Sequence, residues 1–267
     1  MSAIDPQRYE MIKVSVSDGI ATLVLSNPAR KNAVNRQMHT ELERIWDDID
    51  ADDDVRVAIL TGDAGTFCAG TDLGGQQKQN NEGRRGRPRT RPARRIFWNM
   101  LDCEKPIIAK VRGYAYGLGV NLALACDLVY AAESAKLCDS HVKHGIAPGD
   151  GGAALWPLLI GFHRAKELIL TGDPIGGRKA ADIGLINYAL PDDELDGAVD
   201  AMARKLADGP PLAISYGKLS VNTMLKQMMA GAFETSLAYD QLTLYTQDHK
   251  EGANAFMEKR KPKFTGS

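Results

Sequence analysis

The chain has 267 residues, of which 44% are hydrophobic and 25% charged, a balance that excludes a disordered or collagen-like chain and allows one sizeable core. Thirty-three basic against 34 acidic residues leave a formal net charge of −1, whereas a dedicated nucleic-acid binder carries a marked basic excess. Four cysteines, Cys68, Cys103, Cys126 and Cys138, form no C-x-x-C pair or zinc spacing and read as reduced, buried thiols. The opening residues lack the apolar core of a signal peptide, and the longest uncharged run, residues 113–126, is too short to span a bilayer. A cytoplasmic protein with no membrane partner is expected.

Residues 11–16 and 21–25 alternate apolar and polar around Asp18-Gly19, which predicts a hairpin. Asn35 then caps a predicted helix with Met38, Leu42, Ile45, Trp46 and Ile49 at helical spacing. Three short apolar runs, 55–60, 107–111 and 128–131, read as buried strands, separated by helical patterns at 95–101 and 118–126. Strands alternating with helices predict an α/β core. After Pro148-Gly149 the chain turns helical: 151–160, 164–170, 194–208, 212–229, 232–245 and 250–259. Residues 74–95 stand apart as an arginine-dense polar insertion with no large apolar side chain, expected to be mobile without ligand.

The chemistry is concentrated in two glycine-containing segments, ILTGDAGTFCAGTDL from Ile59 and KPIIAKVRGYAYGLGVNLALACD from Lys105. Each takes a strand into a tight turn where small residues let a ligand approach the backbone. In the second, a helix starts at the turn and leaves unpaired N–H groups at its positive end. N–H groups converging from two such turns would stabilise an oxyanion.

Together these segments resemble the crotonase (enoyl-CoA hydratase/isomerase) superfamily, with its T-G-x-x-x-x-F-x-A-G-x-D-L and K-P-x-I-A-x-V-x-G-x-A-x-G-x-G-x-x-L-A-x-x-C-D patterns both present in full. The segment from Asn27 to Ala33 and the ending from Glu251 to Phe264 also look like the family, so only the insertion lies outside the resemblance. It implies a ββα spiral core over residues 1–195 and a helical oligomerisation region over 196–267, assembling as a homotrimer or a dimer of trimers. It implies an acyl-CoA substrate and no further cofactor. By position, the oxyanion hole would be the backbone N–H groups of Thr71 and Leu118. Arg30, Lys31, Ala33 and Ala69 would lie along the CoA, with Phe256 and Lys259 reaching it from a neighbouring subunit.

The hydratase pattern is broken where it matters most. The positions of its two acid–base glutamates hold Asn121 and His141, and asparagine cannot shuttle a proton near neutral pH. A histidine titrates near neutrality, and Asp150, across the turn at residues 145–149, is the nearest downstream carboxylate able to orient it. His141 and Asp150 are therefore the expected catalytic pair, with Asn121 and Asp240 as candidates for orienting water or substrate. The same spacing resembles the superfamily's C–C bond hydrolases of the 6-oxocamphor hydrolase type. The leading expectation is water addition to an enoyl-CoA through a thioester enolate; the alternative is hydrolytic C–C cleavage of a β-dicarbonyl.

Simpler roles compete. Asp150 precedes Gly151-Gly152 and could be a helix N-cap, and His141 could be bonded to backbone. The His141-x-x-His144 pair beside Asp139 lies in a segment that reads as extended, so no metal site is expected. The Arg84–Arg95 cluster could contact the phosphates of RNA, but without interleaved aromatics RNA binding is the distant alternative.

Overall fold

A computed structural model describes residues 4–72, 74 and 91–267. Its first layer is a six-stranded sheet in the order β1-β2-β3-β4-β6-β9. Strands β1 (Ile12–Ser17) and β2 (Ile20–Leu25) form an antiparallel hairpin. Its two turn residues, Asp18 and Gly19, both have positive φ (51° and 79°), the geometry whose twist matches that of the flanking strands. Helix α1 (Arg36–Asp50) is capped by Asn35, whose side-chain oxygen accepts from the Met38 N–H at 2.9 Å. The chain then returns as β3 (Val57–Gly62), parallel to β2. Helix α2 (Arg91–Asp102) packs on α1 and feeds β4 (Ile107–Val111), followed in the sheet by β6 (Leu128–Ala132) and β9 (Tyr188–Leu190), all parallel. Parallel strands covered by helices explain why these segments read as continuous apolar runs.

A second, three-stranded sheet joins β5 (Tyr114–Tyr116), β7 (Lys136–Cys138) and β8 (Ile175–Gly176). Between β5 and β6 runs the fully buried helix α3 (Leu118–Leu124). The helical remainder comprises α4 (Gly152–Ile160), α5 (Phe162–Thr171), α6 (Gly177–Asp182), α7 (Leu195–Ala207), α8 (Pro211–Thr243) and α9 (Gln247–Met257). No helix among the described residues is long and apolar enough to cross a membrane.

The expected elements appear within a few residues of their predicted bounds, with two corrections. The helices expected at 212–229 and 232–245 are one 33-residue helix, α8. Gly231 does not break it, because Met229 and Phe233 on either side are buried, Phe233 stacking on Trp98 at 5.0 Å. That packing exceeds the roughly 1 kcal/mol that glycine costs inside a helix. The segment after Asp139, expected to be extended, is a 3-10 turn over His141–His144. Of the insertion at 74–95, residues 91–95 open α2, while the expectation of mobility falls on 75–90, outside the described residues.

Candidate active site

Two backbone turns meet beside α3. Residues 68–72 run along β5: the Cys68 N–H donates to Tyr114 C=O and the Tyr116 N–H to Cys68 C=O, each at 2.9 Å. On its other edge this segment bridges Val34, whose N–H donates to Gly70 C=O and whose C=O accepts from the Asp72 N–H. Those two bonds leave the intervening Thr71 N–H on the edge facing β5 and α3. Gly70 has φ +93°, and a Cβ there would sit 2.8 Å from Tyr116 O, so only glycine brings the two turns this close. Gly117 makes the second turn, and Leu118, as first residue of α3, has an N–H with no partner inside the helix. The two expected oxyanion donors thus lie on adjacent turns.

Two carboxylates and a histidine gather at the same place. Asp139 leaves β7, His141 opens the 3-10 turn, and Asp150 ends the loop that leads into α4. The His141 ring lies between the two carboxylates, Nδ1 at 2.6 Å from Asp139 Oδ1 and Nε2 at 3.1 Å from Asp150 Oδ2. The side chains of His141 and Asp150 are 12% and 14% exposed, whereas that of Asp139 is 1% exposed: the pair can meet a ligand and Asp139 cannot. From the position of a Cβ on Gly117, His141 Cε1 is only 3.6 Å away, so the imidazole edge adjoins the oxyanion turn.

Asn121, fully buried on α3, binds the network together. Its amide N–H₂ donates to Asp150 Oδ1 at 2.7 Å and to Asp139 Oδ2 at 3.4 Å, while its oxygen accepts from the buried Trp156 indole N–H at 3.0 Å. The expectation that Asn121 orients water is corrected: both amide protons go to carboxylates, so it positions Asp150. The N-cap alternative for Asp150 also falls away. Gly151 is the N-cap of α4 with no side-chain cap bond, and both Asp150 oxygens are engaged with Asn121 and His141.

Electrostatics follow from this arrangement. Burial alone would lower the His141 pKa, but the charges of Asp150 and Asp139 and their hydrogen bonds outweigh it and hold the pKa well above the ordinary 6.5. Burial pushes Asp139 up, and the His141 charge and the bonds from His141 and Asn121 bring it below 3.8. Each ring nitrogen of His141 faces a carboxylate oxygen, an arrangement that favours the protonated ring. Ligand-type atoms of Asp139, His141 and Asp150 lie within 4.8 Å of one another, a spacing that a metal ion also uses.

Asp139 was legible only as a neighbour of His141, since an aspartate just after a strand is ordinary turn chemistry. Gly152 explains its placement, because a Cβ there would lie 2.0 Å from Asp139 Oδ2 and 3.2 Å from Asn121 Nδ2. Gly152→Ala should displace both and lower turnover by about 10²-fold, the scale of an ångström-sized misplacement. The check is steady-state kinetics on protein whose circular dichroism matches wild type.

Around this centre lie the other expected residues. Lys31, with φ 52°, extends its ammonium over the Tyr114 ring at 4.6 Å, and its carbonyl accepts from the Ala69 N–H at 3.0 Å. Arg30 is exposed on a 3-10 turn and Ala33 is buried beside it. Phe256 and Lys259 lie at the end of α9, which packs on its own chain's His141–His144 turn. Phe256 meets His144 edge-on at 5.2 Å. Asp240, on α8, lies against Gly149, next to Asp150.

The chain resembles known proteins over nearly its whole length. A family model described as enoyl-CoA hydratase/isomerase matches residues 15–267. The chain is 33% identical over 262 residues to the 1,2-epoxyphenylacetyl-CoA isomerase of Escherichia coli (strain K12), covering 96% of this chain and 99% of that protein. It is also 33% identical over 257 residues to the crotonyl-CoA hydratase of Syntrophomonas wolfei, covering 96% and 98% respectively. A solved enoyl-CoA hydratase from Mycobacterium avium subsp. paratuberculosis K-10 matches with a TM-score of 0.87 at 27% identity, covering 96% of this chain and 99% of that one. With sequence and fold both matching over nearly its whole length, the chain belongs to the enoyl-CoA hydratase/isomerase family of the crotonase superfamily.

Proposed function

We propose that the protein adds water reversibly to the double bond of an enoyl-CoA, using Asp150 as the proton acceptor and His141 as the cation that holds it in place. The observation that supports this most is the partly exposed His141–Asp150 pair directly beside the Gly117 turn. Asp150 takes a proton from water as the water oxygen bonds to Cβ. The double-bond electrons move to the thioester oxygen, where the N–H groups of Thr71 and Leu118 stabilise the enolate. A proton added at Cα completes the hydroxyacyl-CoA. Arg30, Lys31, Ala33, Ala69, Phe256 and Lys259 line the CoA, which is part of the substrate, and no separate cofactor takes part.

The exposed apolar face of α8, including Tyr216, Val221, Met224 and Met228, supports a homotrimer or a dimer of trimers. A cytoplasmic setting fits the chemistry. A second reading is hydrolytic C–C cleavage of a β-dicarbonyl, favoured by the histidine–aspartate pair that stands where the hydratase glutamates are absent. The test is mass spectrometry of a panel of enoyl-CoAs and β-dicarbonyls incubated in oxygen-18 water. Hydration puts one label in a new hydroxyl group. Label in a carboxylate alone would reject hydration in favour of C–C or thioester hydrolysis.

A further inference from the structure

We propose that Asp240 is a second proton-exchanging carboxylate of this site, delivering to Cα the proton that completes the reaction; this rests on the enolate chemistry proposed above. Water addition needs one group to accept a proton and another to donate one. Asp150 is the acceptor, and both ring nitrogens of His141 are engaged, one by Asp139 and one by Asp150. The donor must come from elsewhere.

Asp240 has the required place. It sits on the last turns of α8, which are fastened to the loop before Asp150 by the Ala147 N–H donating to Thr243 Oγ1 at 3.0 Å. Gly149 packs directly on it: a Cβ at Gly149 would be 2.2 Å from Asp240 Cβ and 2.9 Å from its Cγ. Any larger residue there would push α8 and its carboxylate away from Asp150. Among the described residues the one side-chain hydrogen bond to Asp240 comes from Gln241, on its own helix. Among the described residues no cation forms an ion pair with it, in contrast to Asp150, which faces His141 at 3.1 Å.

Its environment suits proton exchange. Burial raises its pKa, the charge of Asp150 raises it further, and the His141 charge partly opposes both, which leaves it at about 6. A carboxyl group with that pKa is protonated in a useful fraction of molecules near neutral pH and is still a competent acid. The protons balance. Asp240 gives its proton to Cα, Asp150 holds the proton taken from water, and transfer between the two neighbours resets the pair. In reverse, Asp240 takes the α-proton and Asp150 returns one to the departing hydroxyl.

The test compares wild type, Asp240→Asn and Asp240→Glu by two readouts. The first is exchange of α-hydrogen for solvent deuterium on a saturated acyl-CoA, followed by mass spectrometry. The second is a carbon-13 NMR titration of the aspartate carboxyls, repeated in Asp150→Asn. We expect Asp240→Asn to slow exchange at least 10²-fold with unchanged affinity for the acyl-CoA, and Asp240→Glu to recover part of it. We also expect the Asp240 carboxyl to titrate near pH 6 and to fall in Asp150→Asn. Exchange in Asp240→Asn within threefold of wild type would overturn the assignment, as would no exchange in wild type itself. If wild type exchanges α-hydrogen but adds no water, hydration fails while the role of Asp240 stands.

Discussion

Asp150→Asn is expected to lower kcat by 10²–10³-fold, about the usual contribution of a positioned acid–base group, with little change in the amount of folded protein. Both oxygens of this carboxylate accept hydrogen bonds, one from the Asn121 amide and one from the His141 imidazolium. An asparagine at 150 must turn an N–H₂ toward one of these donors, so it disrupts the network as well as removing the base. A purely capping aspartate would tolerate this change, since asparagine caps a helix as well. His141→Ala should cost at least as much, because it removes the cation that holds Asp150 and faces the oxyanion turn. Combined, the two substitutions should cost much less than the product of the single effects, as expected of residues acting as a unit. Steady-state kinetics on the three variants, with the oxyanion turns intact, checks all of this. A nearly multiplicative double mutant would show that the two residues act separately.

Asp139→Asn should have the second-largest effect, acting on stability and activity together. Asp139 is sealed from solvent, and its charge is balanced by His141 at 2.6 Å. Removing one partner of a buried pair typically costs about 3–5 kcal/mol, and thermal unfolding should show a corresponding loss. The sign of the pH dependence follows from the two pKa shifts. Asp139 is lowered from 3.8, so its contribution is complete above that value and is lost as pH falls through its folded pKa. His141 is raised from 6.5, so its contribution is complete below that value and is lost as pH rises through its folded pKa. The stability gap between wild type and Asp139→Asn should therefore be widest between pH 3.8 and 6.5. Activity should fall by about 10²-fold, since the histidine loses its second anchor. Denaturant titrations at several pH values read the first effect and turnover the second.

How far the sequence discloses this site depends on the kind of constraint at each residue. The turns at Gly70 and Gly117 are legible because only glycine tolerates their backbone geometry and their mutual approach. The hairpin and α1 are legible for similar local reasons, a positive-φ Asp-Gly pair and an Asn35 cap. His141 and Asp150 stand out because they occupy a pattern that ordinarily holds glutamate. What they do together is not local. Whether His141 is a base or a cation depends on Asp139 coming from the end of β7 and Asn121 from α3, which the chain separates by 18 residues. Asn121 illustrates the limit best: its residue type says that it cannot carry a proton, but only the fold shows its amide joining two carboxylates under Trp156. Strands β5, β7 and β8 are two or three residues long, too short for a periodic signal, and take shape only through their pairing with one another in the fold.

The most direct test of the account is nitrogen-15 NMR of His141 across the pH range in the unliganded protein. A cation held between Asp139 and Asp150 predicts two protonated ring nitrogens at pH 7.5 and a titration midpoint well above 6.5. In Asp139→Asn that midpoint should move down, because one of the two opposing carboxylates is gone. A wild-type ring with one unprotonated nitrogen at pH 7.5 and a midpoint at or below 6.5 would contradict the account.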